Sequence, residues 1–286
     1  MWTPEPETIP ENFSLHETVK TVTDEFTLVK RFIEQNLKIQ CSNYKEDYIK
    51  RRLLSRMGST GTSTYAEYLR YLRANAPELE LLRNALTINV TEFFRDTEVY
   101  DLLKKEIFPA LFALGKKVRI WCAGCSTGEE AYSIAMILHE AMMMDRKISG
   151  QIYATDIDEV VLGKAKEGIY TEKVMNKLSE ARIHRHFTRL SDGNFQVKSH
   201  LKELIRFRPH DLMSGQPVSR FLDLITCRNV TIYFTEKQKD DLARMFHGAL
   251  ITGGYYVMGK TEYLGHEVEG LFMPVNSLQK IYMKKG

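Results

Sequence analysis

The stretch IWCAGCSTGEE, starting at Ile120, runs from an apolar segment through two glycines into a helical pattern that opens with two carboxylates. Gly124 and Gly128 allow the backbone to approach a ligand closely. The turn lacks the third glycine of a dinucleotide fingerprint and the lysine of a phosphate loop. A helix N-terminus by itself favours an anion. Glu129 and Glu130 fill that positive potential and repel phosphate. A phosphate-free cation suits the turn better, and S-adenosylmethionine, with its sulfonium, ammonium and adenosine, is such a ligand. The alternative is that both glutamates only stabilise the first helical turn, as acids commonly do.

Three further segments end in polar groups that could share this rim. Asp156 closes YATDID, where an acid can accept hydrogen bonds from both ribose hydroxyls; it could instead cap the next helix, a role open to Asp158 as well. Asp211 and Leu212 follow a strand-like run in FRPHDL and could flank an adenine. CRNVTIYF brings Arg228, Asn229 and Tyr233 to the exit of another strand.

Other chemistries find less support. The cysteines are Cys41, Cys122, Cys125 and Cys227. Cys122-x-x-Cys125 could be a redox pair or half of a zinc site, but no second pair completes a site and STGEE separates the pair from its helix. Small buried residues in a turn are the plainer reading. His184 and His186 alternate as strand neighbours would, with no carboxylate or cysteine spaced to complete a set, so no metal is expected. A formal charge of +3 on 286 residues gives no argument for nucleic acid.

The elements that must position these residues follow from periodicity. Phe26, Val29, Ile33 and Leu37, then Ile49, Leu53 and Met57, recur at helical spacings. Thr64-x-x-Glu67 is a capping box, and Pro77 suits a first helical turn. No strand signal precedes residue 116. From Val118 strand and helix alternate, which predicts a parallel sheet with right-handed crossovers. FLDLITCRN continues it, Thr235 caps a helix, and two strands around Asn276-Ser277 predict a terminal antiparallel hairpin. SEARIHRHFTRL, the turn SDGN and FQVKSH, the last read as an exposed strand, interrupt the rhythm as a β-containing insertion at about 170–205. The expected organisation is a disordered acidic lead-in over 1–20, a helical domain over 21–80, linker helices over 81–115 and a sheet domain over 116–286. With no signal peptide and no apolar span, a cytoplasmic protein is expected.

With LTINVTEFFRD, CSTGEEAYSIA, ATDID, AKEGIY and CRNVTIYF in this order, the chain resembles the CheR family of chemotaxis-receptor glutamate methyltransferases over nearly all of its length after about residue 20. The resemblance implies an α/β S-adenosylmethionine-dependent methyltransferase fold, Rossmann-like and mostly parallel, with a small N-terminal helical domain. It implies that Asn89, Thr91, Arg95, Glu129, Asp156, Asp211, Leu212, Arg228 and Asn229 contact the cofactor, S-adenosylmethionine or its product S-adenosylhomocysteine. Position 211 is often Asn in relatives, and an ionised Asp accepts but does not donate. Arg95 and Tyr233 resemble the residues nearest the transferred methyl; Arg95 could instead pair with Glu92, Asp96 or Glu98.

The implied substrate is a set of glutamates on receptor cytoplasmic helices. Lys45, Lys50, Arg51, Arg52 and Arg56 crowd one helix that could steer such acidic helices, or could be a solvated face. The turn RLSDGNFQV looks shorter than in relatives that dock a receptor tail, so recognition through the basic helix and cleft is expected. A monomer is expected, with no nucleic-acid partner and no membrane insertion. Two other classes are a non-catalytic binding module of the same fold and a dinucleotide oxidoreductase.

Overall fold

The computed structural model describes residues 15–37, 39–87 and 91–286, with side chains from Asp24 onward. Most of the expected lead-in lies outside the described residues, but α1 (Leu15–Leu37) already begins inside it. The chain divides into two compact units at Leu86/Thr87.

The first unit is helical: α1 is followed by α2 (Glu46–Thr60), α3 (Tyr65–Ala74) and α4 (Ala76–Leu86). Its core is built from the apolar stripes read in the sequence: Phe26, Val29, Ile33 and Leu37 of α1, Ile49, Leu53 and Met57 of α2, and Tyr68, Leu69 and Leu72 of α3 are all buried. The capping box forms in both directions, Glu67 N donating to Thr64 Oγ1 and Thr64 N to Glu67 Oε2, each at 3.2 Å. The boundary at Leu86 places all of α4 in this unit rather than among linker helices.

In the second unit, α5 (Thr97–Leu102) runs through a π-turn into α6 (Phe108–Leu114). Then come β1 (Lys117–Ala123), α7 (Glu129–Met144), β2 (Ser149–Asp156) and α8 (Glu159–Glu167). A small three-stranded sheet of β3 (Ile169–Tyr170), β4 (Phe187–Arg189) and β5 (Phe195–Val197) follows, flanked by α9 (Glu180–His186) and α10 (Ser199–Lys202). The main sheet resumes with β6 (Ile205–Pro209), β7 (Leu222–Cys227), α11 (Glu236–Ala249), β8 (Leu250–Met258), β9 (Phe272–Asn276) and β10 (Ile281–Lys284).

Main-sheet order is β6-β2-β1-β7-β8-β10-β9. The first five strands pair in parallel, and β10 is antiparallel to both neighbours. The terminal hairpin, the parallel sheet and the β-containing insertion all form as read. One detail is corrected: FQV is not an exposed strand, because Phe195 and Val197 turn into the core.

β1 is buried on both faces, as a central parallel strand must be. Val118, Ile120 and Cys122 pack into the cluster with Ile107, Ala135 and Leu138. Trp121 points the other way and meets Phe246 of α11 edge-on at 5.2 Å. The chain leaves β1 toward β2 and returns on β1's other side as β7, so the carboxyl ends of β1 and β7 form the switch point where open α/β sheets bind ligands.

Candidate functional site

The β1–α7 turn is shaped by two left-handed glycines. Gly124 has φ +79°, and a Cβ there would lie 2.5 Å from Val230 Cγ2, just past β7. Gly128 has φ +97°, with Ala165 Cβ 3.0 Å from where its own Cβ would stand. Both positions thus exclude side chains on conformation and on space. Gly124 N and Cys125 N donate to Thr155 O at 2.8 and 2.9 Å, clamping the turn to the end of β2.

Asp156 is held from both sides. Its Oδ2 accepts from Ser126 N at 2.8 Å and its Oδ1 from Asp158 N at 3.0 Å. Burial nevertheless pushes its carboxyl above the ordinary value. Asp158 does the helix capping, accepting from Val160 N at 2.9 Å. The alternative role for Asp156 is therefore filled by its neighbour.

The two glutamates of the turn part company. Glu129 is 4 % exposed and accepts from Thr127 Oγ1 at 2.7 Å. Burial raises its pKa as well. Glu130 turns away: it accepts from Thr226 Oγ1 at 2.7 Å and from Arg228 Nη1 at 3.1 Å. Both acids stand in the first turn of α7 as expected, but their carboxylates divide, Glu129 staying on Thr127 of the turn and Glu130 reaching Thr226 of β7 and Arg228.

The segment entering the second unit is docked on the same helix. Phe94 N donates to Ser133 Oγ at 3.0 Å, and Ser133 Oγ donates to Glu129 O at 2.7 Å. Phe93 packs edge-on against Tyr170 and Phe187. Thr91 and Arg95 are half-buried there. Glu92 pairs with Lys177, Asp96 with Arg228 and Lys260, and Glu98 with Lys260. Asn89, expected on this segment, lies outside the described residues.

Arg228 is 2 % exposed at its side chain and serves as a bolt. It reaches Asp96 Oδ2 at 2.7 Å, Arg95 O at 2.9 Å, Glu130 Oε2 at 3.1 Å and Tyr100 Oη at 3.3 Å. Asn229 follows with φ +61°. Its strained backbone is fixed by a residue the sequence reading missed. Glu262, 2 % exposed, accepts from the backbone N–H of Asn229, Val230, Thr231 and Gly259 and from Thr231 Oγ1, at 2.6–3.0 Å. Glu262 lies in the loop after β8, where no motif or spacing marks it. Of the six non-glycine residues with positive φ among those described, Phe94, Asp96, Ser126 and Asn229 belong to these segments. Backbone strain of this kind is typically stored at functional sites.

Tyr233 ends a short 3-10 turn after β7 and is half-buried. Asp211 is exposed and its Oδ1 accepts from Met213 N at 2.8 Å, capping the 3-10 turn that begins at Leu212. His210 N donates to Asp156 O at 2.9 Å, so this turn adjoins the end of β2.

The four cysteines are free and buried. Burial raises each thiol, Cys41 to about 12 and the others well above the ordinary value. They are protonated packing residues at neutral pH.

The basic residues of α2 do not form one free face. Arg56 makes a two-pronged contact with the buried Glu78 at 2.9 and 2.6 Å, and Tyr68 Oη donates to the same carboxylate at 2.8 Å. Lys50 pairs with Glu46 at 2.6 Å, and the Arg52 guanidinium lies 5.4 Å from the Tyr48 ring centre. Lys45, at the N-cap of α2, and Arg51 are exposed.

The described donor set is acidic on the turn, with no cationic side chain between Gly124 and Glu130. It fits a cationic adenosine ligand and disfavours a pyrophosphate. Comparison with known proteins agrees. Residues 24–87 match the family model described as CheR methyltransferase, all-alpha domain, and residues 89–281 that described as CheR methyltransferase, SAM binding domain. A chemotaxis protein methyltransferase of Borreliella burgdorferi is 35% identical over 253 residues, covering 85% of this chain and 89% of the relative. One from Listeria monocytogenes is 36% identical over 238 residues, covering 82% and 88%. Chemotaxis protein methyltransferase 1 of Pseudomonas aeruginosa is 32% identical over 249 residues, covering 85% and 91%.

Proposed function

The chain belongs to the CheR family of S-adenosylmethionine-binding chemotaxis methyltransferases, and from that premise we propose that it esterifies glutamate side chains on the cytoplasmic helices of methyl-accepting chemotaxis receptors. The observation that carries this reading is the pair of carboxylates at the switch point, the buried Glu129 in the turn and the half-buried Asp156 at the end of β2, beside a turn that carries no cationic side chain. Asp156 takes the ribose hydroxyls, and Glu129 faces the positive part of the ligand. Thr91, Leu212 and Asn229 complete the cofactor walls, and the family resemblance assigns Asn89 to the same ligand. Asp211 contributes on the adenine side through the turn it caps. Arg228 acts from behind, fixing the backbone of Arg95.

S-adenosylmethionine, when bound, supplies an electrophilic methyl carbon on sulfonium. A glutamate is already ionised at neutral pH, so no residue of the chain has to remove a proton. What the chain provides is alignment and exclusion of water, an effect worth about 7–11 kcal/mol in favourable cases. Arg95 holds one carboxylate oxygen of the substrate and Tyr233 the other. Lys45 and Arg51, the exposed cations of α2, meet the acidic receptor helices, with Lys50 and Arg52 at the margin of that surface. No helix among the described residues is long and apolar enough to cross a membrane. By its likeness to the chemotaxis methyltransferases, the proposed setting is a cytoplasmic monomer that visits membrane-bound receptors.

Labelled-methyl transfer to receptor-rich membranes tests the proposal. Base-labile label on the receptor is expected, as a carboxyl methyl ester requires. Base-stable label would assign another acceptor, and cofactor binding without transfer would make the chain a binding module.

A further inference from the structure

His184 and His186, expected to alternate as strand neighbours, lie instead in α9. His184 only offers its backbone oxygen, to Lys198 Nζ. His186 instead meets two histidines far away in sequence, His139 near the end of α7 and His200 in α10. Ring centres are 4.5 Å apart for His139 and His200, 5.3 Å for His186 and His200, and 5.5 Å for His139 and His186. One nitrogen from each ring lies within 4.8 Å of the other two. Among the described residues this is the only such group of three metal-ligating side chains.

The cluster is poorly satisfied as it stands. His186 Nδ1 and His200 Nε2 are 3.0 Å apart and can share one proton. His139 Nδ1 and His186 Nε2 are buried without a hydrogen-bond partner. His186 is fully buried. Orphaned buried polar atoms are rare and costly. Two in one group of three imidazoles mark ring nitrogens that, in the tautomers leaving them unprotonated, can ligate a cation.

We propose that His139, His186 and His200 form a three-imidazole site for a divalent cation of the zinc class, which staples the small three-stranded sheet to α7. Imidazole nitrogens with neither thiolate nor a free carboxylate select zinc-like ions over magnesium or calcium. No carboxylate belongs to the group, and Glu140, next to His139 in the chain, is held by Arg182 at 2.8 Å and Lys104 at 2.8 Å, so the remaining coordination position falls to water. Zinc–nitrogen bonds of about 2.0–2.1 Å place ligand atoms roughly 3.4 Å apart, and closing the present set requires shifts of about 1 Å.

The site is structural rather than catalytic. His139 lies about 15 Å along α7 from Glu129 at the helical rise. It links the end of α9 and the start of α10, the two helices flanking the small sheet, to a helix that carries the cofactor turn at its other end. The inference does not depend on the identity of the methyl acceptor.

The test uses the full chain without a histidine tag, stripped with a chelator and titrated with Zn²⁺ and, in parallel, Co²⁺. One ion per chain, a visible cobalt spectrum of a four-coordinate site, and a melting temperature raised by a few degrees in excess zinc are expected. His186→Ala is liable to misfold because its ring is fully buried, so the informative variants are His139→Gln and His200→Gln. Loss of an outer partner alone costs about 10–100-fold in metal affinity, so loss of a ligand should weaken binding by at least tenfold. Wild-type protein that takes up neither ion, variants that bind as wild type does, or variants equally destabilised with and without zinc would each overturn the site.

Discussion

Arg228 Nη2 donates to Asp96 Oδ2 at 2.7 Å, joining the exit of β7 to the segment that carries Arg95. The same guanidinium binds Glu130 and the Arg95 carbonyl. Removing one partner of a buried pair typically costs about 3–5 kcal/mol, because the other charge is left uncompensated. Arg228→Met should lower stability by that order in denaturant unfolding. It should also reduce turnover in the surviving folded protein, because Arg95 loses its backbone anchor. Unchanged turnover at full occupancy would separate Arg228 from the site.

The Glu262 carboxylate, with its five donors, holds the strained Asn229 turn. In Glu262→Gln, the amide NH₂ would face backbone donors where a carboxylate oxygen now accepts. A loss of about 1–3 kcal/mol per orphaned donor sets the scale. Affinity for S-adenosylhomocysteine, read by calorimetry, should fall at least tenfold. Equal affinity would mean that the turn keeps its shape without the acid.

The pH dependence of cofactor binding has a definite sign. Burial raises Glu129 above its ordinary 4.5 and Asp156 above its ordinary 3.8. In the empty protein these raised values favour the protonated forms, so both acids oppose folding increasingly as pH rises from their unfolded values, in full above their folded ones, and that penalty is absent below the unfolded values. A bound cation favours the charged forms. Affinity should therefore fall as pH is lowered, beginning above pH 4.5 rather than at it. In Glu129→Gln the Glu129 part of that dependence should vanish in calorimetric titrations from pH 7 downward. A flat wild-type profile would remove both acids from contact with the ligand.

Much of this was legible in the sequence. Apolar spacing marked the helical unit because Val29, Ile33 and Leu53 each face a single core. Gly124, Gly128 and Asp156 were legible because only particular residue types fit a tight turn or a strand exit. The partners of Glu130 were not legible because adjacent acids at a helix start look alike, and only the fold carries one of them to Thr226 and Arg228. Glu262 and the histidine cluster were invisible for one reason. Their partners come from distant segments that only tertiary packing joins, as with His139 and His200. His139 carried a faint signal, a polar ring interrupting the apolar run of α7.

The charges of α2 divide into two kinds, and mutation should separate them. Arg56 is bound to a buried acid that Tyr68 also contacts, and these bonds hold the Glu78 carboxyl below its ordinary value against the upward push of burial. A lowered carboxyl contributes stability above its unfolded value near pH 4.5 and loses it as pH falls further. Arg56→Ala should destabilise the protein toward the lower end of about 3–5 kcal/mol, since Arg56 keeps some solvent contact. Its effect on methyl transfer should appear only as loss of folded protein. Arg51 is exposed and bears no comparable load. Arg51→Glu should leave the melting temperature nearly unchanged, raise KM for receptor several-fold at low salt, and lose most of that effect near 1 M salt, where the screening length is about 3 Å. A KM for receptor that ignores both Arg51→Glu and salt would show that α2 presents a solvated face and that receptor helices are recognised elsewhere.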